Sequence, residues 1–266
     1  MYETTYARAK DAADAAKKLR AADDGKFLAG GMTLLPTMKQ RLAAPSDVID
    51  LTHIKDMDAI TVSRKDVTIG ATATHAAVAT HAKLMKVCPS LCALAGGIGD
   101  PHVRHRGTIG GSIANNDPAA DYPAAMIALG ATIVTNKRKM AAEKFFTGMF
   151  ETALKEDEIV KAVTFTAPKS GNYQKFRNPA SRYAMAGVYV ADHGKGDVRV
   201  AVTGASSGGV YRARDMEKAM GGKLNADALD TCTVDEADML SDIHGSAPYR
   251  ASLVKVMAKR AVNAAG

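Results

Sequence analysis

Two short stretches pair glycines where a backbone could close around an anion: Ala29-Gly30-Gly31-Met32-Thr33 and Thr108-Ile109-Gly110-Gly111-Ser112. Adjacent glycines permit positive φ and remove the Cβ, so successive N–H groups can converge on one ligand. A helical run follows Thr33 directly, which adds its dipole to the first turn. Two such turns suit a diphosphate better than a single phosphate. The sequence has no G-x-x-x-x-G-K-[ST] phosphate loop. Gly97-Ile98-Gly99 runs into Asp100-Pro101-His102 and lacks the third glycine of the dinucleotide fingerprint. Downstream lie two carboxylates, Asp117 and Asp121. Asp117 before Pro118 reads equally as a helix N-cap and as a ligand contact. Asp121 could cap as well, but ligand contact is the preferred reading. Repelled by a diphosphate, its carboxylate would instead accept hydrogen bonds from ribose or ribityl hydroxyls.

Composition narrows the classes. The 266 residues are long enough for one or two domains with a real core. No stretch approaches the ~20 apolar residues of a membrane span, and the N-terminus carries no signal-peptide core. A cytoplasmic location is the default expectation. The net charge of +7 raises nucleic acid as a partner, but the Lys and Arg are scattered and aromatics are 5%. A solvated basic surface or an acidic protein partner explains this better than nucleic acid does. Cys88, Cys92 and Cys232 cannot supply the four ligands of a zinc or iron–sulfur site, so no metal is assigned. His75, His102 and His105 read as structural residues, and no catalytic acid, base or nucleophile is named.

Several elements must position these groups. Residues 1–20 read as an amphipathic helix. A strand at Lys26–Ala29, the glycine turn, a helix from Leu34 to Arg41 and a strand at Val48–Leu51 form a βαβ unit. A hairpin joins Ile60–Val62 to Val67–Gly70, and Thr74 caps a helix reaching Met85. A helix begins near Pro89 and an apolar one spans Pro123–Leu129; strands follow at Ala131–Val134 and Glu158–Phe165. The breaker run Ala167–Asn172 marks a boundary. Beyond it come a strand at Val198–Thr203, helices from Arg212 and Ala226, and a last helix, Tyr249–Asn263, with Leu253, Val256, Met257 and Ala261 on one face. The pattern is α+β, with an α/β region at 1–168 (subdomains about 1–55 and 56–168) and a smaller domain at 173–266.

The run LAGGMTLLPTMKQRLAAPSDVIDL, followed by DPHVRHRGTIGGSIANNDPAADYPAAMIALGA, resembles the FAD-binding medium subunit of molybdenum hydroxylases. The pattern is nearest the carbon monoxide dehydrogenase type, with xanthine dehydrogenase related. The likeness continues through Tyr173–Phe176, Arg182–Ala184 and Tyr249–Arg250. It implies two α/β subdomains of the PCMH type (as in vanillyl-alcohol oxidase) and a C-terminal domain of antiparallel strands with helices. It also implies FAD held by Ala29, Gly30, Gly31, Met32 and Thr33 on one side of the diphosphate and by Thr108, Ile109, Gly110, Gly111 and Ser112 on the other. The same resemblance makes Asp121 a cofactor ligand, Ile159 and Val160 an apolar pair beside the flavin, and Lys175 a neighbouring lysine. Tyr183 becomes a lid on one flavin face; the plainer reading is a partly buried aromatic of the C-terminal core.

By the same resemblance, a large subunit holds the molybdopterin cofactor and a small subunit holds [2Fe–2S] clusters, assembled as a dimer of heterotrimers. Electrons would pass from those clusters through FAD to an external acceptor. A stand-alone FAD-dependent oxidoreductase is the alternative.

Overall fold

The computed structural model describes residues 1–266. Three short strands, β1 (Thr5–Arg8), β2 (Gly25–Leu28) and β3 (Asp47–Asp50), form a parallel sheet in the order β1-β3-β2. Parallel strands need crossovers. The helices Ala12–Ala21 and Leu34–Lys39 provide them. A second, antiparallel sheet runs β4 (Ile60–Ser63), β5 (Asp66–Gly70), β10 (Val160–Thr166), β6 (Thr132–Thr135), β7 (Lys139–Ala141). A small ribbon pairs β8 (Phe146–Gly148) with β9 (Glu151–Thr152). The last sheet is antiparallel, β11 (Ser170–Arg177), β12 (Ala184–Asp192), β13 (Val198–Thr203), β14 (Tyr211–Arg212).

The third sheet is buried on both faces, which explains why β12 is nearly continuous apolar sequence. Tyr189, Ala191 and Ala201 complete the core of the N-terminal part. Val188, Val190, Val200 and Val202 face the other way, onto the helix Ala247–Ala265 and a second core. The apolar helix Tyr122–Ala128 packs on β12, β13 and β14 of the third sheet, and every one of its residues is buried. A polar link reaches the same sheet, where the Ser90 and Tyr189 hydroxyls are 2.6 Å apart.

Several expectations are corrected. The first twenty residues are not one helix, because Thr5–Arg8 pairs with β3 and only Ala12–Ala21 is helical. The helix capped by Thr74 stops at Thr80; His81 is extended and caps a second one, Ala82–Val87. Ser170 and Asn172, placed in the breaker run, already belong to β11. Tyr211–Arg212 is a strand; the helix after it starts at Arg214, and the one expected from Ala226 is a single 3₁₀ turn. In the last helix Leu253, Met257 and Ala261 are buried as expected, but Val256 faces solvent. The largest change is at 107–115, where the sequence reading places no helix. Thr108 caps the helix Ile109–Asn115, so Gly110 and Gly111 form its first turn.

That turn is stitched to the segment after β5. The His75 N–H donates to the Gly107 carbonyl, Ile109 N–H to Ala73 and Gly110 N–H to Ala71, at 2.8–3.1 Å. Such spacing requires missing Cβ atoms. One on Gly110 would stand 2.6 Å from the Ala71 carbonyl oxygen, and one on Gly30 would stand 2.0 Å from that of Arg106. Gly110→Ala should therefore cost about 1–3 kcal/mol of stability, read as a lower denaturant midpoint.

At the start of β10, Glu158 is buried and accepts hydrogen bonds from the Arg138 guanidinium (2.9 Å to each oxygen), the Thr135 hydroxyl (2.6 Å) and the Lys155 N–H (3.1 Å). Burial pushes its pKa up, but the Arg138, Thr135 and Lys155 hydrogen bonds outweigh this and bring it down from 4.5 to about 2. A depressed carboxylate stabilises the fold fully above its unfolded pKa and loses that contribution as pH falls through the folded one. The stability gap between wild type and Glu158→Gln, on the order of 2 kcal/mol near neutrality, should close between pH 4.5 and about 2 in denaturation at stepped pH.

Candidate functional site

A cleft of about 800 Å³ opens between the two glycine turns, the start of β10 and the near end of the third sheet. Volumes of about 300–1,000 Å³ are usual for small-molecule sites. Of the residues anticipated from sequence, it brings together Ala29, Gly30, Gly31, Met32 and Thr33 with Thr108, Gly110, Gly111 and Ser112. Asp121, Ile159, Val160, Lys175 and Tyr183 also line it. Ile109 does not; it is fully buried beneath the turn, in the core.

The two turns are not equivalent. At the first, β2 has ended and the helix has not begun, and Gly31 takes φ +73°. The backbone N–H groups of Ala29, Gly30, Gly31, Met32 and Thr33 find no acceptor in the protein. A run of unpaired donors beside a cleft is what an anion needs. The helix that follows has only six residues, so its dipole adds less than the sequence suggested. The second turn has used its donors from Ile109 onward, leaving only the Thr108 N–H unpaired. Gly110 N–H goes to the Ala71 carbonyl, Gly111 N–H to the Thr108 hydroxyl and Ser112 N–H to the Thr108 carbonyl. The expectation that the N–H groups of Gly110, Gly111 and Ser112 are free is thus corrected. Gly110 is bare for packing; a Cβ on Gly111 would crowd the Thr108 hydroxyl at 2.9 Å and reach ordinary contact, 3.8 Å, with the Ala29 Cβ across the gap between the turns.

Asp121 stands at the N-cap of the helix Tyr122–Ala128, but its side chain makes no capping bond. Its carboxylate accepts from the Tyr173 hydroxyl at 2.5 Å and pairs with Lys175 Nζ at 3.0 Å. Both side chains of the ion pair are about 5% exposed, so this charge pair is buried at the cleft wall. Burial raises the Asp121 pKa, opposed first by the Lys175 charge and then by the Tyr173 hydrogen bond. Burial and Asp121 together push the Tyr173 phenol up, which keeps it a donor. Lys175 is therefore not the solvated surface lysine that is usual for its type. Asp117 shapes the chain without starting a helix. Its side chain accepts from Ala119 N–H, and the Pro118 and Ala120 carbonyls accept from the Thr203 hydroxyl.

Ile159 is held by a reciprocal pair of bonds with Asn136, one to its side chain and one to its N–H, so Ile159 and Val160 form a fixed apolar wall. Tyr183 is 57% exposed at the cleft edge, on a loop whose Asn178 accepts from the N–H groups of Ala180 and Ser181. The reading of Tyr183 as a core aromatic is corrected. Sequence reasoning missed Thr72, Leu154, Ser181 and the placement of His75, all of which line the cleft. His75, expected to be exposed or satisfied, is buried with Nδ1 unpartnered. The signal for Thr72 was available in its position between two small apolar residues, Ala71 and Ala73, both buried.

No group of three or more His, Cys, Asp or Glu is placed to hold a metal ion, and no helix is long and apolar enough to cross a membrane. Residues 2–168 match the family model described as the FAD binding domain in molybdopterin dehydrogenase. The chain is similar to the nicotine 6-hydroxylase medium subunit of Paenarthrobacter nicotinovorans, 34% identical over 98% of this chain and 96% of that one. It is 33% identical to the carbon monoxide dehydrogenase medium chain of Afipia carboxidovorans, over 98% and 96%. Among solved structures, carbon monoxide dehydrogenase from Hydrogenophaga pseudoflava superposes with a TM-score of 0.89 at 32% identity, covering 99% of this chain and 97% of that one. Quinoline 2-oxidoreductase from Pseudomonas putida 86 gives 0.89 at 26%, covering 99% and 96%. The fold is thus the PCMH-type FAD-binding α/β fold with a C-terminal antiparallel sheet and helices. With the two glycine turns, the cleft between them and these likenesses in hand, the chain belongs to the FAD-binding medium subunits of the carbon monoxide dehydrogenase and xanthine dehydrogenase-like molybdenum hydroxylases.

Proposed function

We propose that this chain holds FAD in the cleft and passes electrons from the [2Fe–2S] clusters of a small subunit to an external acceptor. In that assembly a large molybdopterin-binding subunit oxidises the substrate. The observation that carries the reading is the row of unpaired backbone donors from Ala29 to Thr33 opening onto the cleft. These N–H groups hold the diphosphate, and Thr108, Gly111 and Ser112 bound its other side. Ile159 and Val160 give an apolar wall for a flat ring, Asp121 and Lys175 a polar one, and Tyr183 stands at the edge where an acceptor approaches. Bound FAD supplies the redox centre, which takes electrons singly and releases them singly or in pairs; the chain supplies position, electrostatics and access. Residues 1–168 carry most of these contacts, and 173–266 contribute Lys175 and Tyr183. The relatives are named for nicotine, glyceraldehyde and carbon monoxide, chemistry that belongs to other subunits, so no substrate is assigned.

Gly111→Val tests the cofactor reading. Because the added side chain also crowds the Thr108 hydroxyl at 2.9 Å, the thermal transition should fall but stay cooperative, and the folded protein should carry no flavin absorbance; retained flavin would count against that reading. For the electron-transfer role, the chain should co-purify with a molybdopterin-binding and an iron–sulfur subunit, and substrate should bleach the flavin only in that complex. Tyr183→Ala tests the edge position in the same complex. Flavin content should hold while the rate with external acceptors rises severalfold, and an unaltered rate removes the lid role.

A further inference from the structure

The cleft contains one imidazole that nothing in the protein satisfies. His75 is 5% exposed and lines the cleft. Its ring leans on Tyr122, with centroids 5.4 Å apart and planes at 44°. Nδ1 is sealed from solvent and has no hydrogen-bond partner. The ring therefore meets the cleft through its other edge, Nε2 and the adjoining carbons. Burial, then the Arg104 charge, bring its pKa down to about 4, so the ring is neutral near pH 7 and carries one proton. An N–H buried without an acceptor is costly. The proton accordingly belongs on Nε2, and the ring is a donor that needs an oxygen.

Its neighbour shows that the ring's place is built in. Gly107 has φ −57° and ψ 141°, a backbone any residue adopts. What excludes a side chain there is steric, since a Cβ would lie 2.6 Å from His75 Nε2, 2.9 Å from Cδ2 and 2.9 Å from the Val103 carbonyl. The His75 N–H also donates to the Gly107 carbonyl at 2.9 Å, which fixes the ring's root beside Thr108. The Thr72 hydroxyl, on the same segment and the same cleft wall, is a second buried polar atom without a partner. Buried polar atoms are ordinarily partnered, and of the four in this chain that are not, three, Thr72 Oγ1, His75 Nδ1 and the Tyr122 hydroxyl, belong to His75, the ring it leans on and its own segment.

We propose that His75 is a side-chain ligand of the dinucleotide in this cleft, seated by the bare Gly107 and donating from Nε2 to a phosphate or hydroxyl oxygen. The proposal rests on the flavin reading above. It adds a side-chain contact to a second turn whose N–H groups from Ile109 to Ser112 are already spent.

The test strips flavin from the full chain and titrates it back, following the quenching of flavin fluorescence. His75→Leu should weaken FAD binding roughly 5- to 10-fold, the loss of one hydrogen bond. His75→Gln, whose amide nitrogen can reach the place of Nε2, should stay within about 2-fold. His75→Asn, which reaches only the place of Nδ1, should behave like the leucine variant. Leucine and asparagine variants that bind as tightly as wild type overturn the proposal. Should the variants misfold, ¹⁵N-histidine spectra of wild type decide, because the His75 Nε2 resonance must shift on adding FAD and an unmoved one overturns it. A wild-type chain that takes up no FAD refutes the flavin reading itself, a different result from wild type binding with His75 indifferent.

Discussion

Backbone can approach backbone this closely only where no Cβ intervenes, and the cleft depends on two such places. Gly30 lies on the carbonyl of Arg106, and Gly110 lies on Ala71. These contacts bring a turn of the parallel sheet against a helix start of the second sheet's layer, and the hydrogen bonds from Ala71–His75 to Gly107–Gly110 lock the register. The consequence is an asymmetry. The second turn spends its N–H groups from Ile109 to Ser112 on the junction and on its own cap, while the first keeps its own free. What looks in sequence like one motif written twice is one turn tied into the junction and one whose donors stay open to the cleft.

The C-terminal sheet closes the cleft with a buried charge pair. Removing Asp121 and Lys175 from water is costly, and such a pair is weak grounds for stability. Its geometry nonetheless specifies an arrangement, because Asp121 precedes the buried helix Tyr122–Ala128 while Tyr173 and Lys175 stand on β11. Thr203 and Gly204 fasten the preceding turn to the end of β13 through the Pro118 and Ala120 carbonyls. The pairing also damps the positive field that Lys175 would otherwise cast into the cleft. A ligand there meets a nearly neutral dipole instead of a free ammonium.

The elements legible in sequence were those whose apolar pattern or turn chemistry was decided locally. The hairpin at Ile60–Gly70, the Pro89 helix and the strand Val198–Thr203 are of this kind. Thr5–Arg8 was missed because its partner, β3, lies some forty residues away, and the alanine-rich stretch beside it favours helix. Residues 109–115 were missed because two glycines disfavour helix, while the Thr108 cap and the contact with Ala71 outweigh that preference. Val256 fails because a helix lying across a sheet buries only the stripe the sheet covers.

The site divides the same way. By itself the sequence determined where the backbone is bare, Gly30-Gly31 and Gly110-Gly111, and which carboxylate and lysine accompany them, since residue types and spacing are local properties. Only the tertiary structure decided which bare position lies against backbone, which N–H groups remain free, that Asp121 is already paired with Lys175, and that His75 stands unsatisfied in the cleft. Each of these depends on what a residue far along the chain places within a few ångströms, and no local pattern carries that information.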